Sequence, residues 1–512
     1  MNIITEDLSF NRTICTSKLQ KAIESDIIVP DMKPDILKLL QTDATVVIPH
    51  KNIDDGCVNL NGRVNLSMLY IPDAENEHIK SICTSLDFSE DIINKEISSL
   101  DNVFINAFIE RVDCNLINSR KLKVRAIIAV EYEIIRIEPI SFAVNVDDCV
   151  NPQIQRETVA FQNSINICEH PFAIMQKIEL PNGQESIGEL LKHSVKITDT
   201  EYKALNGKVT IKGITNICIL YTTPSGNIEF NETELQFTEL LECENIFEDS
   251  CCDIDFTIAD YAIDIEEDSD GDARIINLQI DINASLKAVE DIEIDIICDC
   301  YEPHKKAVLS TKKFNIEEII SRPSTQNTIR DLIEPTANIP SISKVYDVIA
   351  KSHITSAKIS AGKLLCEGHI DAFVLYISES IEAPIHSIKK EIPFSYMLDI
   401  QSDYPELTPQ IKSEIKHISY NLNAAGEIEL RILLAINANI INQRQIELIT
   451  EVESLVDDKA QNGNITIYFT QKGDTLWKIA KHYHIAAQDI INFNSLKDDC
   501  IKEGARLIIP GK

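Results

Sequence analysis

The chain has 512 residues, too many for one hydrophobic core, so three or four domains are expected. Hydrophobic residues make up 44% and charged residues 25%, which excludes wholesale disorder, and no run of about 18 apolar residues is present to form a membrane-spanning helix. A formal net charge of −33 argues against nucleic acid and anionic lipid as partners and fits a well-solvated surface.

The opening MNIITEDLSF carries Glu6 and Asp7 and has neither a basic n-region nor an apolar h-region, so no secretion signal is expected. The 14 cysteines are accordingly expected to stay reduced, as small buried hydrophobes such as Cys218 in NICILY and Cys366 in KLLCEG. Cys251–Cys252 and Cys298–Cys300 are close pairs, but neither is a CxxC motif, and no metal or cofactor is expected. GluGluAspSerAspGlyAsp, from Glu266 to Asp272, resembles the start of an EF-hand loop. Its twelfth position is Asn277, which lacks the bidentate carboxylate, so a solvated turn is the better reading.

Internal repetition organises the body. GRVNLSMLY (Gly62 to Tyr70), GITNICILY (Gly213 to Tyr221) and GHIDAFVLY (Gly368 to Tyr376) share a Gly and a Leu-Tyr ending at one spacing. Before each lies a patch read as a short helix, at PDILKLL (34–40), SIGELLK (186–192) and KVYDVIA (344–350). After each comes a second strand region, KLKVRAIIAVEYEI, ARIINLQIDINASLKAV and EIELRILLAINANI. Strict two-residue alternation there, with Ile276, Leu278, Ile280 and Ile282 on one face, specifies strands half-buried against a core. The expected fold is mostly β: three tandem antiparallel β-sandwich-like repeats (5–150, 151–300 and 301–450), each with a short helix. A polar linker (451–463) and a small α+β, βααβ module (464–512) follow.

Residues 463–512 hold seven Lys and Arg against five Asp and Glu, so this segment is +2 within an acidic chain. ITIYFT begins with alternation at Ile465, Ile467 and Phe469 and turns at Lys472-Gly473-Asp474. A helix follows, capped by Asp474 or Thr475, with Leu476, Ile479, Ala480 and Tyr483 as its buried stripe. AAQDIINFNSL forms a second helix, and ARLIIPG closes the sheet. Trp477, the only tryptophan, lies about 100° from Leu476 on the wheel, beside Lys478, Lys481 and His482. It reads either as an interface anchor or sugar-stacking platform, or as a side chain folded over the edge of a small core.

GDTLWKIA followed by INFNSL and LIIP closely resembles the LysM family of glycan-recognising βααβ modules. The resemblance implies a groove for N-acetylglucosamine-containing glycans between two loops, formed here by Gly473, Asp474, Thr475 and Leu476 on one side. Asn494, Ser495 and Leu496 form the other side. PDILKLL, VLY and IPFSYM resemble the SPOCS domains of spore-forming Firmicutes across residues 5–450, with LPNGQESIGELL making the second copy the most divergent. Three such repeats ending in LysM resemble the SipL-type family of clostridial spore coat morphogenetic proteins. That resemblance implies a non-enzymatic scaffold in the mother-cell cytoplasm at the forespore surface, binding the coat basal-layer morphogenetic ATPase and other coat proteins. The lone tryptophan off the buried stripe and the local positive charge place the expected partner face at Trp477, Lys478, Lys481 and His482. The alternatives are a LysM peptidoglycan-binding protein and a LysM-targeted cell-wall enzyme. Against the latter, the chain has no GxSxG, HExxH, Walker A or dinucleotide fingerprint.

Overall fold

A computed structural model describes residues 2–74, 79–303, 305–334, 342–378, 385–400, 404, 407–423, 425–456, 465–496 and 501–510. The first repeat comprises β1 (Asn2–Ile28), β2 (Ile36–Asp54), β3 (Cys57–Pro72), β4 (Lys80–Ile93), β5 (Asn102–Asn118) and β6 (Lys121–Asp147). They form two antiparallel sheets, β2-β3-β4 and β1-β6-β5, so the first and last strands pair. Val58, Leu60, Val64 and Met68 from β3 meet Leu122, Val124, Ala126 and Ile128 from β6 in one core, which makes the repeat a sandwich.

The same plan recurs in β7 (Gln153–Glu179), β8 (Glu189–Leu205), β9 (Lys208–Thr222), β10 (Ile228–Glu242), β11 (Cys251–Glu267) and β12 (Ala273–Tyr301). The third copy has β13 (Lys305–Ser321), β14 (Ser324–Ile333), β15 (Ile342–Ser360), β16 (Lys363–Ser378), β17 (Ile385–Asp399), β18 (Leu407–Leu422) and β19 (Ile428–Val456). Here β13 and β14 share the long partner β19 along its length. The last module has β20 (Thr466–Phe469), α1 (Leu476–Tyr483), α2 (Ala487–Asn494) and β21 (Arg506–Ile509).

The short helix expected in each repeat is absent among the described residues; 34–40, 186–192 and 344–350 run into or lie within β2, β8 and β15. Bulges account for the difference. Register shifts at Ile36/Lys38 and Leu39/Gln41, at Leu190/Lys192, and at Ile342/Lys344 and Val345/Asp347 each insert a residue into the strand. Buried positions then fall at Ile36, Leu40 and Ala44, at Ile187, Leu191 and Val195, and at Ile342, Tyr346 and Ala350. That four-residue spacing imitates a helical face. The expected linker is also shortened, because 451–456 continue β19 with Val452 buried; the remainder of it lies outside the described residues.

Each letter of the repeated motif has a packing role. Gly62, Gly213 and Gly368 pair across strands with Phe88, Phe237 and Phe394, whose rings occupy the space a side chain would fill. Tyr70, Tyr221 and Tyr376 are fully buried in the core of their own repeat. The Tyr70 and Tyr221 hydroxyls donate to the carbonyls of Pro34 (3.2 Å) and Glu185 (3.3 Å). Leu69, Leu220 and Leu375 point the other way and meet one another, with Leu40, Leu191 and Tyr346, in a core between the repeats. A second shared core gathers Phe10, Phe142, Phe161, Ile294, Ile316 and Leu448 from the far halves of the long strands.

The acidic turn closes on itself: Asp268 Oδ1 accepts from the amides of Asp270 (2.9 Å) and Asp272 (3.0 Å). Burial pushes the thiols of Cys218 and Cys243 up to about 12, far from the range in which a thiolate reacts.

The glycine-phenylalanine pairing generates a test. A Cβ on Gly213 would stand 2.5 Å from the Phe237 ring, so Gly213→Ala should cost about 1–3 kcal/mol by overpacking. Adding Phe237→Leu should recover part of that loss, measured by thermal melting. Gly368→Ala should cost more than Gly213→Ala, because its Cβ also collides with the His353 carbonyl, which cannot swing aside. Equal melting of Gly213→Ala with and without Phe237→Leu would refute the pairing.

Candidate functional site

The three repeats enclose a cleft of about 1360 Å³, but opposing charges pair across it, Lys51 with Glu169 and Lys351 with Asp43. The C-terminal module offers the better-defined site. Its first loop is set by Gly473 at φ +89°, a backbone shape that favours glycine, and by Asp474. Asp474 Oδ2 accepts from the Gln471 amide and the Tyr468 hydroxyl, both at 2.7 Å, and these bonds hold its carboxyl below the usual carboxylate range. Thr475 is the N-cap of α1, its Oγ1 accepting from the Lys478 amide at 3.2 Å. Leu476, Ile479 and Ala480 are buried beneath the helix, and Tyr483 is half-buried.

The second loop leaves α2 through Ser495, an αL cap at φ 48°. Asn494 clamps this helix to β21: its Oδ1 accepts from the Ile508 amide (2.7 Å). Its Nδ2 donates to the carbonyls of Ile508 (2.7 Å) and Ile490 (2.9 Å). The seven expected groove residues therefore do gather around the two loops. The side chains of Asp474, Thr475 and Asn494 are committed to turn, cap and clamp, and Leu476 and Leu496 to the core. What this groove presents outward is the backbone around Gly473 and the exposed Thr475 and Ser495.

The expected partner face is divided. Lys478 and His482 are exposed, but Trp477 and Lys481 face the second repeat. The Trp477 indole donates to Asp299 Oδ2 at 2.7 Å, and Lys481 Nζ donates to Asp299 Oδ1. The Tyr301 ring meets the indole edge-on at 5.1 Å between centroids, and its hydroxyl donates to the Ile485 carbonyl at 2.9 Å. Tyr301 is fully buried in the core of the LysM-like module, and burial, with Asp299 and Asp489 nearby, pushes its phenol well above the ordinary range. The free anchor expected at Trp477 is thus an internal one. The side chain does lie off the buried stripe of its helix, and another domain covers it there.

Asp299 and Tyr301, which form the dock, were not among the expected site residues. They end β12 at Asp299-Cys300-Tyr301, where the sequence offers only an acid and an aromatic at the close of an apolar run. Conversely, Ile465, Ile467 and Phe469, the alternating apolar set before the loop, stand 64%, 55% and 61% exposed. The helices cover only the other face of the two-stranded sheet, where Tyr468 packs.

Since Trp477 is the only tryptophan, intrinsic fluorescence reports the dock directly. Asp299→Ala removes two charge-assisted hydrogen bonds, each worth about 1.5–3 kcal/mol. Its emission should shift to the red and be quenched more readily by iodide, with circular dichroism unchanged. An unaltered emission and quenching profile would show that the indole is not held there.

Comparison with known families follows the same division. The SPOCS domain of SipL matches residues 35–117, 186–266 and 341–423, and the LysM domain matches 468–510. The SPOCS matches span β2–β5, β8–β11 and β15–β18 and leave out most or all of the long outer strands that build the second shared core. No solved structure matches the chain. Both matched domains are binding domains, LysM being of the peptidoglycan-binding kind, and no helix among the described residues is long and apolar enough to cross a membrane. Three SPOCS domains closed by LysM, in the order its repeats and C-terminal module display, match the pattern of a SipL-type protein.

Proposed function

We propose that this protein is a non-enzymatic morphogenetic scaffold of the spore coat, acting in the mother-cell cytoplasm at the forespore surface. It binds the coat basal-layer morphogenetic ATPase through its LysM module and brings further coat proteins to that layer through its SPOCS body. The observation that carries this reading is the outer surface of the module. The Asp474 and Asn494 side chains of the loops are used by the fold, whereas Ile465, Ile467 and Phe469 form an apolar strip open to solvent, with Phe493 58% exposed as well. Such a strip suits a protein surface, with Lys478 and His482 as exposed polar groups of the same module. Trp477 and Lys481 contribute by holding the module on the body.

A second reading, peptidoglycan binding, is favoured by the exposed backbone at Gly473 and Ser495, which retains the two-loop geometry of a LysM groove. The LysM-targeted enzyme reading has less support, since both matched domains bind rather than catalyse.

Pull-down of the ATPase by the full chain separates these readings. Ile467→Glu with Phe469→Glu should weaken capture at least tenfold, a change of roughly 1.4 kcal/mol, while leaving the Trp477 emission as it is. Sedimentation with purified peptidoglycan should be unaffected by the same pair. ATPase capture that survives the double change, together with peptidoglycan binding lost on Ser495→Trp, would hand the module to the glycan. A lytic band in peptidoglycan zymography would restore the enzyme.

A further inference from the structure

Among the described residues, one group of three donors lies within reach of a single ion, and it lies in the third repeat. His353 on β15 stands opposite His369 on β16, and Asp371 follows His369 two residues on, hence on the same face of the sheet. Their candidate ligand atoms all lie within 4.8 Å of one another, and the two imidazoles are 5.1 Å apart between centroids, tilted by 31°. Gly368 makes the approach possible, because a side chain there would strike the His353 carbonyl.

The carboxylate is only half used. Asp371 Oδ2 pairs with Lys389 Nζ at 2.8 Å, while Oδ1 is buried with no hydrogen-bond partner, a costly state for a charged group. Lys351, across the strand from Asp371, is drawn away to Asp43 of the first repeat at 3.3 Å. Glu391 sits across from Asp371 in the register with β17 and adds a second carboxylate on that side. Lys389 is more than half exposed and free to yield.

We propose that His353, His369 and Asp371 form a binding site for a divalent first-row cation of the zinc type, which braces β15 against β16 in the third repeat. Two imidazoles and one carboxylate are a donor set for such ions, with a fourth position left to water. Bonds of about 2.0–2.1 Å put neighbouring donors roughly 3.4 Å apart, so small side-chain rotations close the present group onto an ion. The fold itself does not require these residues. In the same register the first repeat has Val47, Arg63 and Asn65, and the second has Thr198, Ile214 and Asn216. The donors are thus particular to one copy of a frame that stands without them.

That internal comparison supplies a variant designed to fold: His353→Thr, His369→Ile and Asp371→Asn together give repeat 3 the residues of repeat 2. The probes are Zn²⁺ by titration calorimetry and Co²⁺ by visible absorption, on the reduced, chelator-treated full chain. The wild type should take up one ion per chain and melt higher with Zn²⁺. The triple variant should lose both effects while keeping its circular dichroism, and His369→Ile alone should weaken uptake at least tenfold. The Co²⁺ form should lack a thiolate charge-transfer band, since no cysteine belongs to the site. The proposal fails if the wild type takes up no ion, if the triple variant takes it up equally, or if a thiolate band places the ion on cysteine.

Discussion

The central strand of each SPOCS repeat ends in a segment that is apolar on both faces, and this constraint shapes the body. Tyr70, Tyr221 and Tyr376 look into their own sandwich, and Leu69, Leu220 and Leu375 beside them look out, yet all six are buried. A single repeat has nothing to place over its outward leucine. Burial of a leucine is worth about 1.5–3 kcal/mol, and the other two copies provide the cover. Lys192 reinforces this arrangement. From the second repeat it reaches Asp347 of the third (3.2 Å) and Asp43 of the first (3.6 Å), itself almost wholly buried. Burial alone would raise the Asp43 carboxyl, but Lys351 and Lys192 together hold it below the ordinary carboxylate range. In a chain with 81 acidic and 48 basic side chains, several lysines are placed at the seams between repeats: Lys33 and Lys80 on Glu189, Lys51 on Glu169, Lys287 on Glu133. These seam pairs are half-buried, and the buried Lys192 would be left without a partner if its seam opened, which opposes separation of the repeats.

The long outer strands answer the same constraint at the other end. β6, β12 and β19 run 27–29 residues, well beyond what one sandwich needs. In β6, Leu122, Val124, Ala126, Ile128 and Val130 face the repeat's own core, and then Ile140 and Phe142 enter the shared aromatic core with Phe10 and Phe161. The Phe142 and Phe161 centroids lie 4.8 Å apart across the first and second repeats, and Arg444 of the third lies over Phe161 at 5.0 Å. Shared cores at both ends hold the three copies together as one unit.

Much of this was legible in the sequence, because the motif spacing and the alternation are local signals. Gly, Leu and Tyr recur together, and the two-residue period of 276–286 reads directly as a strand. The first strand of each smaller sheet was not legible as such. Its bulges convert period two into period four, and only the partner strand reveals the shift. The LysM elements were legible for the opposite reason: cap, turn and stripe all sit within a few residues of one another. The dock was not, because Asp299 is 178 residues from Trp477 in the chain. The helical wheel correctly set Trp477 apart from the buried stripe, but a side chain outside its own domain's core is not thereby in water. The cation donors were hidden likewise: His353 and His369 meet only through strand register.

The dock gives the second repeat and the C-terminal module a thermodynamic link. A partner that grips the Ile465–Phe469 strip leaves Trp477, Lys481, Asp299 and Tyr301 in place, and it finds the module already oriented by the second repeat. A partner that requires the Trp477 indole must first displace Asp299, so its apparent affinity falls by the fraction of molecules that are undocked. The coupling is reciprocal: whatever loosens the end of β12 favours the second kind of partner, and whatever rigidifies it favours the first. Ile296 and Cys300 of that strand also lie in the cores shared by the three repeats, so one strand end carries both the packing of the body and the residues that hold the LysM module.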